Sequence, residues 1–365
     1  MSNVTENEIL DALRNVIDPD LNKDIVSLGF IQNLNIDNGN VKFDLVLTTP
    51  ACPVKDVMKK QCEDNILALE GIKKVEIKLD AQTTTSRVQM EALPNVKHIL
   101  LVGSGKGGVG KSTVAVNLAM ALHEKGASVG LMDADIYGPS VPTMVGVHEP
   151  PRASEENRLL PPLKFGMPII SIGLMVKASD ALVWRGPILH KILTQFVQDV
   201  DWGELDYLII DLPPGTGDVQ LSLTQVIKPS AILLVTTPQD IAFADVRRAA
   251  MMFHKVNIPV IGVVENMGYF VCPHCDEKTE IFPRTGDTST RIIDEGFEIE
   301  TLLGLPLEPQ VALTSEQGTP IVGSFPESET AKKFIELAGI VAQKLAVISH
   351  RTPAMASTGG ESGKD

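Results

Sequence analysis

From His98 onward, short apolar runs alternate with longer helix-forming stretches. The runs are HILLVG (98–103), SVGLMD (128–133), DYLIID (206–211), AILLVT (231–236) and IPVIGVVEN (258–266). Near-continuous apolar runs of this length are what strands buried on both faces require, and STVAVNLAMALHEKG and IAFADVRRAAMMFHKV between them have the length and composition of covering helices. The pattern therefore predicts an α/β domain built on a mostly parallel sheet flanked by helices.

The first eighty residues follow a different rhythm. They offer an amphipathic helix near Glu6–Asn15, a turn at Asp18–Asp20, strand-like alternation in VKFDLVLTT (41–49), a helix after Pro53 and a short strand VEIKLD (75–80). This predicts a small α+β domain over 1–85, a polar linker over 86–96 within AQTTTSRVQMEALPN, and the larger domain over 97–350. The Pro-rich stretch 149–168 is expected to be an inserted loop or lobe. Residues 351–365 combine small, polar types with no apolar face, the composition of a disordered tail.

The chain has 365 residues with 44% hydrophobic and 21% charged content, enough for two packed bodies. Its formal net charge of −14 and lack of a Lys/Arg run argue against nucleic acid as a partner. The polar start MSNVTENEILDAL and the absence of a membrane-length apolar run give a cytoplasmic protein with no membrane attachment as the expectation. Four cysteines in so long a chain suit reduced thiols used for chemistry better than a disulfide framework.

Between the run HILLVG and a helix lies GKGGVGKS, Gly105 to Ser112, which satisfies G-x4-G-K-S/T in its strand-to-helix context. Gly105, Gly107, Gly108 and Gly110 let the backbone curl around Val109 so that its N–H groups face phosphate oxygens. The helix that starts through Lys111, Ser112 and Thr113 adds positive end charge to the same place. Lys111 is expected to reach the β/γ phosphates, Ser112 to offer its hydroxyl to Mg²⁺, and Asp211, ending the strand DYLIID, to be a carboxylate partner of that metal. ATP and Mg²⁺ are the ligands predicted. Gly215 and Gly217 in DLPPGTGD suit a second loop near the γ-phosphate, with simple turn formation as the competing role.

The other thiol feature is Cys272 and Cys275 in YFVCPHCDEK, placed on a loop after a core strand. Two thiolates do not complete a four-ligand site, but two copies of the loop supply four, the set for a 4Fe-4S cluster and equally for zinc. A redox dithiol or an inert pair is a further alternative, and His274 is left out as a ligand. Cys52, between a strand and a helix, is placed where aligned N–H groups favour a thiolate, with a buried packing role as the alternative. Cys62 reads as a small hydrophobe.

A second lysine inside the loop, Lys106, makes KGGVGKS a deviant Walker A sequence. With DADIYGPSVPTMVG, VWRGP, IIDLPPGTGD, ENMGYFVCPHC and the N-terminal TTPACP, it closely resembles the Mrp/ApbC family of iron-sulfur carrier ATPases over nearly the whole chain. Residues 1–80 resemble the small domain of iron-sulfur assembly factors, through DPDLNKDIVSLGFI and TTPACPVKDV.

The resemblance implies slow ATP hydrolysis in a homodimer that closes on ATP, with Lys106 reaching the partner's nucleotide. It implies Asp135 orienting the attacking water, Asp133 in the metal shell and Asn266 contacting adenine. It also implies a 4Fe-4S cluster held by Cys272 and Cys275 at the dimer interface and passed to apo iron-sulfur proteins, with cluster assembly factors as further partners. The competing functions are a positioning ATPase cycling on membrane or nucleoid, and an ATPase with a dimer-bridging structural zinc. A nitrogenase-type ATPase is disfavoured, because no cysteine falls between Asp211 and Gln239.

Overall fold

The computed structural model describes residues 4–83, 93–156, 158–175, 186–215, 217, 220, 223–224, 226–272, 274–275, 277–282, 290–294 and 297–351. Most of the expected linker and all but the first residue of the expected tail lie outside the described residues, as does Trp184 of VWRGP.

The N-terminal unit is built from α1 (Glu6–Leu13), β1 (Ile31–Asp37), β2 (Asn40–Leu47), α2 (Lys55–Leu67) and β3 (Lys74–Ala81). Thr5 opens α1 with a capping box, accepting from the Glu8 backbone while Glu8 accepts from the Thr5 N–H. β1 and β2 run antiparallel and β2 and β3 parallel. Ile9, Leu13, Phe43, Leu45, Met58 and Ile66 bury one face of the sheet against the helices.

The larger unit supplies β4 (Val96–Ser104), α3 (Lys111–Glu124), β5 (Val129–Asp133), α4 (Val141–Val145), β6 (Met167–Ser171), α5 (Gly186–Gln198), β7 (Leu205–Asp211) and β8 (Ala231–Thr236). It continues with α6 (Asp240–Lys255), β9 (Val260–Val271), β10 (Lys278–Thr279), β11 (Thr290–Asp294), β12 (Phe297–Pro306), α7 (Pro309–Glu316), α8 (Ile321–Ser324) and α9 (Glu329–Arg351).

Its strands lie in the order β6-β5-β7-β4-β8-β9-β12-β11. Every pairing from β6 to β12 is parallel, and antiparallel partners occur at the two edges of the sheet and where β10 pairs with the end of β9. The expected inserted lobe 149–168 is two small antiparallel ribbons, and its last residues, Met167 and Pro168, already belong to β6.

One face of the sheet packs on α3, α4, α8 and α9, the other on α5 and α6. α3 is buried without a break from Val114 to Leu122, as a helix enclosed between sheet and α9 must be, with Asn117 the one strongly polar side chain in that stretch. The chain passes from β4 over to β5 and β6, returns to β7, and then crosses to β8 on the opposite side. The carboxyl ends of β4, β5 and β7 thus meet at a topological switch point, where open α/β sheets bind ligands.

The two units share a joint. Ala51 packs into the core of the larger unit, the buried hydroxyls of Thr49 and Tyr207 lie 2.9 Å apart, and Gln343 of α9 donates to Asp20.

Candidate functional site

The loop 105–110 leaves β4 at Ser104, whose hydroxyl donates to the Lys106 carbonyl at 2.9 Å. Gly108 (φ 79°) and Gly110 (φ 82°) hold left-handed backbone that a side chain would strain. A Cβ at Gly108 would meet nothing within 4 Å, so that stretch of backbone faces open space. A Cβ at Gly110 would collide with Asn266 Nδ2 at 2.1 Å. Gly110 is also the left-handed residue from which α3 starts, so loop and helix end form one cradle for an anion.

Beneath the cradle, the register places Asp211 beside Asp133, each at the end of its strand. Lys111 Nζ donates to Asp211 Oδ1 at 2.6 Å, lies 3.6 Å from Asp135 Oδ2, and is 3.2 Å from Ser112 Oγ. Asp133 accepts from the Ser171 hydroxyl at 2.9 Å and from the Asp135 N–H at 3.1 Å. Nothing in the apolar run around Ser171 marks that residue for this role; only the pairing of β6 with β5 reveals it.

Burial pushes the Asp133 carboxyl up to about 8, assisted by the neighbouring charge of Asp211. Asp211 is also raised by burial, with Lys111 opposing. A carboxyl whose affinity for its proton is raised by folding makes the folded chain bind more protons than the unfolded chain between pH about 4 and about 8. Stability without metal or nucleotide is therefore expected to fall as pH rises through that window and to level off above it. The slope is at most about 1.4 kcal/mol per pH unit for one proton. Denaturant midpoints at pH 6 and pH 8 check this, and Asp133→Asn should flatten the difference.

Lys106 is half-buried and belongs to no ion pair among the described residues. Asn266 is buried and donates to the Val109 carbonyl at 2.9 Å, so it straps β9 to the phosphate loop. The backbone N–H of Gly215 donates to Ser104 at 2.9 Å, setting the DLPPG turn beside the cradle.

The fold and this site together define a nucleotide-binding P-loop NTPase. Residues 95–342 match the model of the NUBPL iron-transfer P-loop NTPases, and residues 6–79 match that of the iron-sulfur cluster assembly proteins. The chain belongs to the iron-transfer P-loop NTPase family. It is 45% identical over 341 residues to the iron-sulfur cluster carrier protein of Deinococcus radiodurans, covering 93% of this chain and 95% of that protein.

Among solved structures, a nucleotide-binding protein of Archaeoglobus fulgidus in complex with ADP is 34% identical, with a TM-score of 0.55 over 68% of this chain and 99% of that one. The septum site-determining protein MinD of Pyrococcus horikoshii, complexed with Mg-ADP, is 24% identical. Its TM-score is 0.52 over 70% of this chain and 100% of that one, a likeness of fold alone.

The thiols sort by environment. β9 runs on past Asn266 to Val271, turns, and pairs back through β10, with Phe270 opposite Thr279 and Val271 opposite Lys278. Cys272 is half-buried and Cys275 exposed at this hairpin. Cys52 and Cys62 are buried. The expected thiolate-favouring setting of Cys52 is not what folding creates: burial pushes this thiol up, because α2 begins only at Lys55 and the joint encloses the cysteine. Burial pushes Cys62 up to about 12, in keeping with a packing role. Among the described residues no group of three or more His, Cys, Asp or Glu side chains is arranged to hold a metal, and no helix is long and apolar enough to cross a membrane.

Proposed function

We propose that this protein is an ATP-hydrolysing carrier that holds a 4Fe-4S cluster between two copies of itself and passes it to apo iron-sulfur proteins in the cytoplasm. The observation that carries the reading is strand β9. It straps the phosphate loop through Asn266 and ends in the hairpin of Cys272 and Cys275, so nucleotide and thiol sites share one strand. Two thiols per chain, with no third ligand gathered around them among the described residues, fit a site completed by a second chain.

Mg²⁺ suits the residues beneath the cradle. The Asp211 Oδ2 atom is buried without a hydrogen-bond partner, and Ser112 Oγ lies 3.2 Å from the Lys111 ammonium that binds the same carboxylate. Ser112 and Asp211 would hold the ion, with Asp133 in its shell, and the ion would neutralise phosphate charge. On the protein's side, Gly107, Gly108, Val109 and Gly110 present N–H groups to the phosphates. Lys111 moves its charge from Asp211 and Asp135 to the β/γ oxygens, and Asp135, thereby freed, orients water. Lys106, in no ion pair among the described residues, is available to a nucleotide on the facing chain. Exposed Tyr137 and Ile241, at the carboxyl edge of the sheet, give that facing surface apolar contact.

Positioning on a membrane or nucleoid is the weaker reading. Its basis is likeness of fold, and the charge of −14 opposes anionic surfaces. The test is anaerobic loading with iron and sulfide, followed by incubation with an apo-acceptor, with and without ATP. Colour and iron should pass to the acceptor at a rate that nucleotide changes. A protein that stays colourless and monomeric would overturn the proposal.

A further inference from the structure

The cysteine hairpin is fastened to α9 by one carboxylate. Glu329, the first residue of α9, accepts from the Tyr269 hydroxyl at 2.8 Å and from Lys278 Nζ at 2.9 Å, both on Oε1. Tyr269 stands on β9 just before the cysteines and Lys278 on β10 just after them. The Lys278 ammonium lies over the Tyr269 ring, 4.7 Å from its centre. One acceptor therefore gathers both legs of the hairpin.

The surrounding backbone is tied to the same place. The Leu307 N–H donates to the Tyr269 carbonyl at 2.6 Å, and the Cys272 N–H donates to Glu277 at 3.0 Å. Glu308 accepts from the Thr330 hydroxyl at 2.5 Å, one residue into α9. The Ser328 hydroxyl caps the helix by accepting from Ala331 N–H at 3.1 Å, and the positive end of α9 favours the Glu329 charge.

Glu329 is partly exposed, with 42% of its side chain accessible, and exposed ion pairs add little to stability. What the arrangement achieves is geometric: it holds a short two-stranded ribbon, whose return strand is only Lys278–Thr279, at a set angle to the body.

We propose that Glu329 is a positioning residue for the cysteine pair, orienting Cys272 and Cys275 toward their counterparts through Tyr269 and Lys278. The proposal rests on the reading of those cysteines as the cluster site. α9 also packs along α3, the helix of the phosphate loop, and touches the N-terminal unit through Gln343. Glu329 thus joins the hairpin to the helix shared by the other two parts.

The test uses the full chain as Glu329→Ala, Glu329→Gln and Lys278→Met, beside wild type and Cys272→Ser. In metal-free protein, Glu329→Ala should speed amide exchange of the hairpin, with the Cys272 amide as reporter, on the order of tenfold. Thermal unfolding should be nearly unchanged. After anaerobic loading with iron and sulfide, the same variant should lose iron to a chelator on the order of tenfold faster, with an altered visible circular dichroism spectrum. Lys278→Met should fall between, and Glu329→Gln, which keeps an acceptor, should recover most of the wild-type behaviour.

Wild-type exchange in Glu329→Ala would overturn the clamp. Faster exchange with unchanged iron loss and spectrum would overturn its positioning role. Retention of the cluster by Cys272→Ser would instead remove the cluster-site reading on which the proposal rests, a result the metal-free arm does not mimic.

Discussion

Lys111→Ala is expected to lower phosphate release by at least about 10²-fold, the scale on which single charge-stabilising groups act in transition states. It should also destabilise the fold. Lys111 is 6% exposed and Asp211 fully buried, with 2.6 Å between ammonium and carboxylate. Removing one partner of a buried pair strands the other charge, at a cost of about 3–5 kcal/mol unless it takes up a proton.

The two effects separate in the double variant Lys111→Met, Asp211→Asn, which removes both charges while keeping similar volumes. Its denaturation midpoint should recover much of the loss, while phosphate release stays absent. Undiminished hydrolysis by either variant would sink the assignment of Lys111 to the phosphates. A double variant no more stable than Lys111→Ala would sink the account of the pair.

The second large effect belongs to the hairpin. After anaerobic loading, wild-type chain should hold about two iron atoms per chain, as one four-iron cluster shared by two chains requires. Cys272→Ser or Cys275→Ser should each lose nearly all of the bound iron and its visible absorption, because each substitution removes two of the four thiolates at a two-fold site. Folding should be untouched, since Cys275 is exposed and Cys272 only half-buried. Metal analysis decides between the competing metals: a colourless wild-type protein carrying zinc would replace the cluster with a structural site. Nearly full iron in either variant would place the cluster elsewhere.

Much of the candidate nucleotide site is legible because its chemistry is local. A phosphate cradle needs consecutive backbone N–H groups and left-handed turns, so it is written in one stretch, Gly105 to Ser112. The strand before it and the helix after it have their own apolar patterns. The buried strands β4, β5, β7 and β8 were legible for a similar reason, since burial on both faces demands unbroken apolar runs. β1 and β6 were not anticipated. β1 is a half-exposed strand of mixed polar composition, IQNLNID, and β6 begins inside a Pro-rich stretch whose pattern conveys no period.

Cys52 shows the limit most clearly. Its neighbours in sequence suggest an activated thiol before a helix, but the pKa of a thiol answers to what surrounds it in space. Here α9 and the loop of the N-terminal unit enclose it. The family resemblance implies Asn266 as a contact for the base. The structure adds its bond to Val109, which no reading of residues so distant in the chain supplies.

By itself, then, the amino-acid order determined the glycine-rich loop, the closely spaced pair of thiols, the alternation that makes a parallel sheet, and membership of a recognisable family. Each is a property of neighbours along the chain, where glycine freedom, apolar period and short spacing act directly. Only the tertiary structure decided that Lys111 rests on Asp211, that Ser171 steadies Asp133, that Cys52 is enclosed, and that Glu329 grips the cysteine hairpin. These contacts join residues far apart in sequence, and charge, burial and hydrogen bonding depend on distance through space.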